Sequence, residues 1–331
     1  MKLLVTGGLG FIGSNFIRQA IDDDSFSKIV NIDALRYGSD PRNLKDLREN
    51  RRYEFVKGDI ADSGFVKKQL RGIDAVVNFA AESHVDRSIA SPAPFVRSNI
   101  IGAYNVLEAV RRNGVSMFVQ VSTDEVYGSA KAGESFDEES RLNPSNPYAA
   151  TKASAEALAM SYYKTYGTKT IVTRCSNNFG PYQFPEKLIP KAIIRALKGM
   201  KIPIYGKGEQ SRSWIYVLDH VEALKRVLLK GRPGEVYNIA AWNELTNLDL
   251  VDKVLSIMGK DRGLVENVED RPGHDKRYSI DASKIRQELG WKPRHGFDVA
   301  LRETVDWYLG NRSWWGRLAT KSALHEAPWK L

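Results

Sequence analysis

Two stretches of this 331-residue chain carry residue types that do chemistry together. Val121-Ser122-Thr123-Asp124-Glu125-Val126-Tyr127-Gly128 sets two adjacent carboxylates after an apolar run. Tyr148-Ala149-Ala150-Thr151-Lys152 spaces a tyrosine and a lysine i, i+4, which puts both on one face of a helix. An ammonium beside a phenol favours the phenolate, so Tyr148 is expected to act as a base, with Lys152 as its activator. The two carboxylates add acid–base capacity that simple alcohol oxidation does not need. Eliminating water next to a transient ketone does need one acid and one base in fixed positions. Neighbours on a regular strand point to opposite faces, so Asp124 and Glu125 share a pocket only if the strand breaks into a loop there.

Such chemistry needs a redox cofactor and a frame. The chain opens with Lys2-Leu3-Leu4-Val5-Thr6, an apolar run that reads as a buried strand. Gly7-Gly8-Leu9-Gly10-Phe11-Ile12-Gly13 follows, and then a segment with helical apolar spacing. A glycine-rich turn from strand to helix lets backbone N–H groups meet a pyrophosphate, although such turns alone are common. A second strand, Lys28-Ile29-Val30-Asn31-Ile32, ends in Asp33. An acid there bonds the ribose hydroxyls of NAD and repels the extra phosphate of NADP. Arg36 softens that preference.

Further apolar runs at 53–59, 75–80, 117–122 and 170–174 alternate with helical patterns at 99–112 and 148–166, the latter stopped by Gly167. Alternation of this kind predicts an α/β fold, a doubly wound parallel sheet of Rossmann type. Ligands bind beyond the carboxyl ends of such strands, where the glycine turn, Asp33, Asp59, Ala80-Ala81 and Ser122 to Glu125 fall. After Cys175 the pattern loosens. The expected division is an NAD-binding domain over 1–175, with a return segment near 212–242, and a smaller lobe over 176–331 that closes over the sheet's edge. Trp314, Trp315 and Trp329 read as packing or interface residues.

Composition narrows the classes. Hydrophobic residues make up 42% and charged residues 27%, ordinary for a globular enzyme. No long uncharged apolar run exists, so neither a membrane span nor a signal peptide is expected. The single cysteine, Cys175, excludes an intrachain disulfide and suits a cytoplasmic location. It is expected to pack behind the pocket. The net charge of +9 is spread among acids rather than gathered in runs, which suits an anionic substrate and not nucleic acid. No His, Cys and Asp spacing fits a metal, and His220, His295 and His325 receive no role.

With these residues in hand, the chain resembles the extended short-chain dehydrogenase/reductase superfamily and, within it, the dTDP-glucose 4,6-dehydratase family. The most specific pieces are Ala80-Ala81-Glu82-Ser83-His84-Val85-Asp86-Arg87-Ser88-Ile89, the Ser122 to Gly128 stretch, and Cys175-Ser176-Asn177-Asn178-Phe179-Gly180-Pro181-Tyr182. Phe184-Pro185-Glu186-Lys187-Leu188-Ile189-Pro190, Pro203-Ile204-Tyr205-Gly206 and Asp270-Arg271-Pro272-Gly273-His274-Asp275 add to them. The resemblance thins over the last fifteen or so residues. Epimerases of the superfamily share the glycine turn and the Tyr/Lys pair but not the Asp-Glu after the serine–threonine.

The resemblance implies a lyase that oxidises C4 of the sugar, removes water across C5–C6 and returns the hydride to C6. Thr123 would bond O4 beside Tyr148, which takes the O4 proton. Glu125 would take the C5 proton, and Asp124 would protonate the leaving hydroxyl. NAD would be held by Gly7, Gly10, Phe11, Ile12, Gly13, Asp33, Ala34, Leu35, Arg36, Asp59, Ile60, Phe79, Ala80, Ala81, Ser98, Ser122, Tyr148, Lys152 and Asn178. Lys187, Leu188, Pro203 and Tyr205 would frame the base and ribose. Arg212 and Arg271 would hold the diphosphate, with Asn177, Asn247 and His274 around it and Ser83 and His84 near the sugar. Arginine suits this because its fork pairs two phosphate oxygens. A homodimer through the 99–112 and 148–166 helices is implied. A UDP-hexose 4-epimerase, a 4,6-dehydratase using UDP- or GDP-sugar, and a non-catalytic NAD-binding protein stay open as alternatives. Thymine and uracil differ by one methyl, which a pocket separates by only about 1–3 kcal/mol.

Overall fold

The computed structural model describes residues 1–331. Its largest unit is a seven-stranded parallel sheet. The strands are β1 (Lys2–Thr6), β2 (Lys28–Asp33), β3 (Tyr53–Lys57), β4 (Ala75–Asn78), β5 (Met117–Thr123), β6 (Thr170–Cys175) and, much later, β10 (Val236–Ile239). Their order is β10-β6-β5-β4-β1-β2-β3. Winding reverses between β1 and β4, and the carboxyl ends of these strands border the crevice where such sheets bind ligands.

Side chains alternate along each strand, so the sheet feeds two cores. Leu3, Val5 and Val77 join a core with Phe16 and Ile17 of helix α1 (Phe11–Ala20) and with Val221, Leu224 and Val227 of α8 (Val217–Lys230). Leu4 and Val76 face the other way, onto Val66 of α2 (Ser63–Gln69), Val106 and Val110 of α5 (Ala103–Asn113), and Ala159 and Tyr162 of α6 (Pro147–Tyr166). Both faces are covered, which is why these strands read as unbroken apolar runs. Where the strands end, Thr6, Asn78 and Gln120 form a buried polar ladder across β1, β4 and β5.

Between β4 and β5 lie α3 (Val85–Ala90), the short α4 (Ala93–Phe95) and a wide π-type coil over 96–102 that runs into α5. The helical stretch expected over 99–112 is present, its first turn π-type and the rest α5. Within this wide turn the Asn99 side chain is tied to two neighbouring segments. Its amide donates to the Glu82 carbonyl (3.0 Å) and the Thr151 hydroxyl (2.9 Å), and its oxygen accepts from the Glu82 N–H (2.8 Å). Wide turns of this kind recur at functional sites, and here Ser98 reaches the crevice.

After β6 the chain builds a second unit. It contains β7 (Asn177–Phe179), α7 (Leu188–Leu197), β8 (Ile202–Tyr205), β9 (Ser211–Tyr216), β11 (Glu244–Thr246), α9 (Asn247–Ile257), β12 (Val265–Val268) and β13 (Arg277–Tyr278). Strand β9 is central, pairing with β7, β11 and β13, while β12 pairs with β8. Then come α10 (Ser283–Leu289), α11 (Phe297–Gly310) and α12 (Arg312–Trp315). A separate apolar core holds α7, α9 and α11 together. In between, α8 and β10 cross back: α8 packs on α1, and β10 pairs with β6. No helix is long and apolar enough to cross a membrane.

Candidate active site

One cleft runs along the carboxyl ends of the large sheet and under the second unit. Its first end is the glycine turn. Gly7 has φ +69°, and a Cβ there would lie 2.7 Å from the Ala80 backbone. A Cβ at Gly13 would lie 2.5 Å from the Gly7 carbonyl oxygen. Neither position tolerates a side chain, and the turn therefore presents bare backbone to the cleft. Helix α1 starts at Gly10 with no side-chain cap, so its first N–H groups stay available to an anion. This cradle fits a dinucleotide pyrophosphate.

Asp33 ends β2 on the cleft wall, buried, and accepts from the Leu9 N–H (3.0 Å) and the Leu35 N–H (2.8 Å). These two bonds fix the carboxylate and leave it further acceptor capacity for ribose hydroxyls. Arg36, expected to soften selection against NADP, is itself tied to Asp59 at 2.7 Å. Leu35 corrects an expectation. It bends away at φ +56° and packs its side chain on the large core, so it is not part of the cleft wall. Every other residue expected around NAD lines the cleft: Gly7, Gly10, Phe11, Ile12, Gly13, Asp33, Ala34, Arg36, Asp59, Ile60, Phe79, Ala80, Ala81, Ser98, Ser122, Tyr148, Lys152 and Asn178. Asp33→Ala is expected to weaken NAD about 10- to 100-fold, the worth of one or two bonds to a charged group. NADP should weaken less, because the repulsion goes as well. Titration with both cofactors checks this, and an unchanged NAD/NADP ratio would remove Asp33 from cofactor selection.

At the middle of the cleft, β5 ends at Thr123 and a tight 3₁₀ turn, Asp124–Tyr127, follows at once. The Thr123 hydroxyl caps that turn by accepting from the Glu125 N–H (3.3 Å). The break in strand periodicity lets Thr123, Asp124 and Glu125 all reach the cleft. Asp124 is 2% exposed, and its Oδ2 is buried with no partner. Burial, reinforced by the Glu125 carboxylate, pushes Asp124 up to about 8, so it carries a proton at neutral pH. Glu125 Oε2 accepts long contacts from the Asn146 amide (3.3 Å) and the Tyr278 hydroxyl (3.4 Å).

Helix α6 delivers Tyr148 and Lys152. Asn146 caps it by accepting from the Ala149 N–H (2.9 Å), Pro147 fills its first turn, and Gly167 ends it at φ +67°. The electrostatics differ from the sequence reading. Lys152 donates to the Val121 carbonyl (2.6 Å) and is lowered to about 8 by burial, against the pull of Glu156. Burial, then the Glu125 carboxylate, raise Tyr148 well above a free phenol, so the phenol is neutral. An ammonium one turn away does not by itself make a phenolate in so dry a place. Glu156 in turn pairs with Arg174 at 2.8 Å, both buried, behind the reacting residues.

The far end lies under the second unit. Arg271 pairs with Asp86 at 2.7 Å and keeps its Nε buried and unpartnered. Arg212 donates to the Ser211 and Asp275 carbonyls and covers the Tyr278 ring at 4.1 Å. Lys187 donates to the Ser83 carbonyl (2.9 Å), and His274 meets Asp270 at 2.6 Å. His274 is lowered to about 4 by burial and then by Arg271, so it is neutral. All twelve residues expected around substrate line the cleft: Ser83, His84, Thr123, Asn177, Lys187, Leu188, Pro203, Tyr205, Arg212, Asn247, Arg271 and His274.

Several residues of this wall escaped sequence reasoning. Asp86 and Glu186 sit inside the quoted motifs, and their place there was the available signal. Glu186 accepts from the Tyr37 hydroxyl and pairs with Arg87 at 3.0 Å, and the Arg87 guanidinium lies 3.6 Å above the Tyr37 ring. His84 packs edge-on against the Tyr37 and Phe184 rings, which also touch each other, with neither of its ring nitrogens bonded. Tyr37 had no signal, because only folding brings its loop to this mouth. His220, given no role, contacts the Asn178 oxygen at 2.8 Å and fixes that side chain. Cys175 is raised to about 12 by burial and then by Asp124, an unreactive thiol on the wall.

Comparison with known proteins identifies the chain's relatives. A family model described as GDP-mannose 4,6 dehydratase matches residues 4–304. A dTDP-glucose 4,6-dehydratase of Streptomyces niveus is 47% identical over 99% of this chain and 98% of its own. DesIV, a dTDP-glucose 4,6-dehydratase from Streptomyces venezuelae solved with NAD and TYD bound, superposes with a TM-score of 0.94 at 46% identity. That match covers 96% of this chain and 100% of DesIV. A UDP-glucuronic acid 4-epimerase from Bacillus cereus, solved with UDP-glucuronic acid and NAD, shares the fold at TM-score 0.88 but only 29% identity, over 94% of this chain and 99% of its own. A glycine cradle, a Tyr/Lys helix and an Asp-Glu turn on one wall, together with this near-full-length identity, place the chain in the sugar-nucleotide 4,6-dehydratases matched by the family model and, among them, in the dTDP-glucose 4,6-dehydratase family of the extended short-chain dehydrogenases/reductases.

Proposed function

We propose that this chain is a hydro-lyase that converts dTDP-glucose to dTDP-4-keto-6-deoxyglucose for deoxysugar biosynthesis, with NAD regenerated in each turnover. The observation that carries the reading is the Asp124–Glu125 pair. One acid is buried and protonated, and the other half-buried, on the wall that also holds Tyr148.

The roles follow from that arrangement. Tyr148 and Thr123 hold the C4 hydroxyl, and Tyr148, in its phenolate form, accepts the hydroxyl proton as the C4 ketone forms. NAD⁺ held by the Gly7–Gly13 turn, Asp33, Tyr148 and Lys152 would supply a hydride acceptor for C4 and the same hydride for C6, and its positive charge would favour the Tyr148 phenolate. The ketone acidifies C5–H. Glu125 takes that proton while the C6–O bond breaks, and Asp124 gives its proton to the departing hydroxyl, which leaves as water. Glu125 then returns a proton to C5, which leaves Tyr148 protonated and Asp124 ionised, and exchange with solvent takes the proton from the phenol and returns one to the carboxylate before the next turnover. An epimerase needs the first proton transfer but neither of the other two. Arg212 and Arg271 supply the cations for the diphosphate end.

Incubating the purified protein with dTDP-glucose and assaying the 4-keto product in alkali tests this directly. Product should form with no net NADH. Stoichiometric release of NADH would make the chain a plain dehydrogenase.

We also read the chain as a cytoplasmic homodimer. Val96, Ile101 and Tyr104 on and before α5, and Tyr163 and Tyr166 on α6, are exposed apolar side chains on neighbouring helices. Apolar clusters of this kind mark contact surfaces. Sedimentation at twice the 37.2 kDa chain mass is expected, and a 37.2 kDa species at micromolar concentration would sink the dimer.

A further inference from the structure

The last twenty residues strap the two units together, and we propose that this strap sets affinity for the nucleotide end of the substrate by holding the Tyr205 ring. The inference rests on reading the cleft as a sugar-nucleotide site. It concerns the segment where the family resemblance is thinnest.

The strap is anchored at both ends. Trp314 donates its indole N–H to the Asn43 side chain of the first unit (2.8 Å), and Trp315 donates to the Tyr308 carbonyl (2.8 Å). Further on, Arg87 donates to the Ser322 hydroxyl (2.9 Å), Arg195 to the Leu324 carbonyl and Lys191 to the His325 carbonyl (3.0 Å). Lys191 is itself on the cleft wall. Ala323, Leu324, Ala327 and Trp329 are buried, so the strap is packed rather than draped.

Its end decides the argument. Trp329 meets the Tyr205 ring edge to face, with centroids 4.7 Å apart and planes at 88°. Tyr205 in turn donates to Asp86 (2.8 Å), whose other oxygen accepts from Arg271 (2.7 Å). Trp329 thus stands behind a line, Tyr205, Asp86 and Arg271, that runs from the expected base pocket to the expected diphosphate clamp. Trp329 does not line the cleft and acts as a positioning residue. No strap residue bonds Thr123, Asp124, Glu125, Tyr148 or Lys152, so the effect is expected on binding rather than on the chemical step. Removing the indole frees the Tyr205 ring to rotate and loosens the Asp86–Arg271 geometry with it.

The test compares Trp329→Leu and Trp329→Phe with the parent. Kinetics are measured with dTDP-glucose, and binding by calorimetry with dTDP alone. Losing an edge-to-face partner is expected to raise KM and the dTDP Kd about 5- to 10-fold, with kcat within about twofold, and Trp329→Phe should recover most of the loss. In a Tyr205→Ala background the Trp329 effect should vanish, since the two act as one unit. An unchanged dTDP Kd, a kcat loss equal to the KM rise, or no rescue by phenylalanine would overturn the proposal. Should Trp329→Leu fail to fold, Trp329→His keeps a smaller ring and is read the same way: an intermediate rise in Kd supports the proposal and no rise overturns it. If the parent binds dTDP but does not turn over dTDP-glucose, the activity reading fails while the strap is still judged by the dTDP Kd.

Discussion

Tyr148→Phe is expected to reduce the first oxidation by about 10²–10⁴-fold, the usual contribution of a general base, and to leave the fold intact. The substitution removes one oxygen from a ring that is already buried in a small cluster with Val85 and Phe95, so packing is preserved. The proton on O4 then has no acceptor, and the nearby Thr123 hydroxyl is far too weak a base to replace it. The measurement is single-turnover reduction of bound NAD⁺ on mixing with dTDP-glucose, followed by nicotinamide absorbance. Near-parental reduction would take Tyr148 out of its role. The neutral state of the phenol adds a pH signature. Because burial and Glu125 raise the Tyr148 pKa, the rate should climb with pH as the phenolate becomes accessible, and Tyr148→Phe should lose that rise.

The second large effect separates dehydration from epimerisation. Glu125→Gln is expected to block C5 proton removal, and Asp124→Asn to slow departure of the C6 hydroxyl, each by about 10²-fold or more. Tyr148 and Lys152 are untouched in both, so a 4-keto hexose still bearing its C6 hydroxyl should accumulate on the enzyme with reduced cofactor. Rapid-quench mass spectrometry with C5-deuterated substrate reads this. Parental formation of 6-deoxy product with solvent exchange at C5 would overturn the assignments. The pH dependence follows from Asp124. An acid pushed up to about 8 is protonated below that pH and ionised above it, so elimination should fall as pH rises through about 8. Asp124→Asn should lack that limb. The same raised pKa means the folded state holds a proton that the unfolded chain has lost, so Asp124 removes stability progressively as pH rises from about 4 towards 8.

Much of this was written in local sequence. Strands buried on both faces appear as unbroken apolar runs, so the run at Lys2–Thr6 and its successors could be read without tertiary information. The glycine turn is equally local, because a positive φ at Gly7 and a 2.5 Å approach behind Gly13 exclude any side chain. The i, i+4 spacing of Tyr148 and Lys152 and the stop at Gly167 follow from helix geometry alone.

What depended on the tertiary structure is charge state and closure. No spacing rule reveals that Lys152 spends a bond on the Val121 carbonyl, or that burial leaves Tyr148 neutral and Asp124 protonated, because desolvation is a property of everything packed around a group. The helix expected over 99–112 is present, but that its first turn is π-type and that Asn99 bonds Glu82 and Thr151, 17 and 52 residues away, could not be read from spacing. Leu35 looked like part of the cofactor wall by position, yet one left-handed residue turned its side chain into the core. Tyr37, Glu186 and Arg87 meet at the cleft mouth, and Trp329 meets Tyr205, only because chain segments far apart in sequence pack together, and such contacts leave no periodic trace in the sequence that makes them.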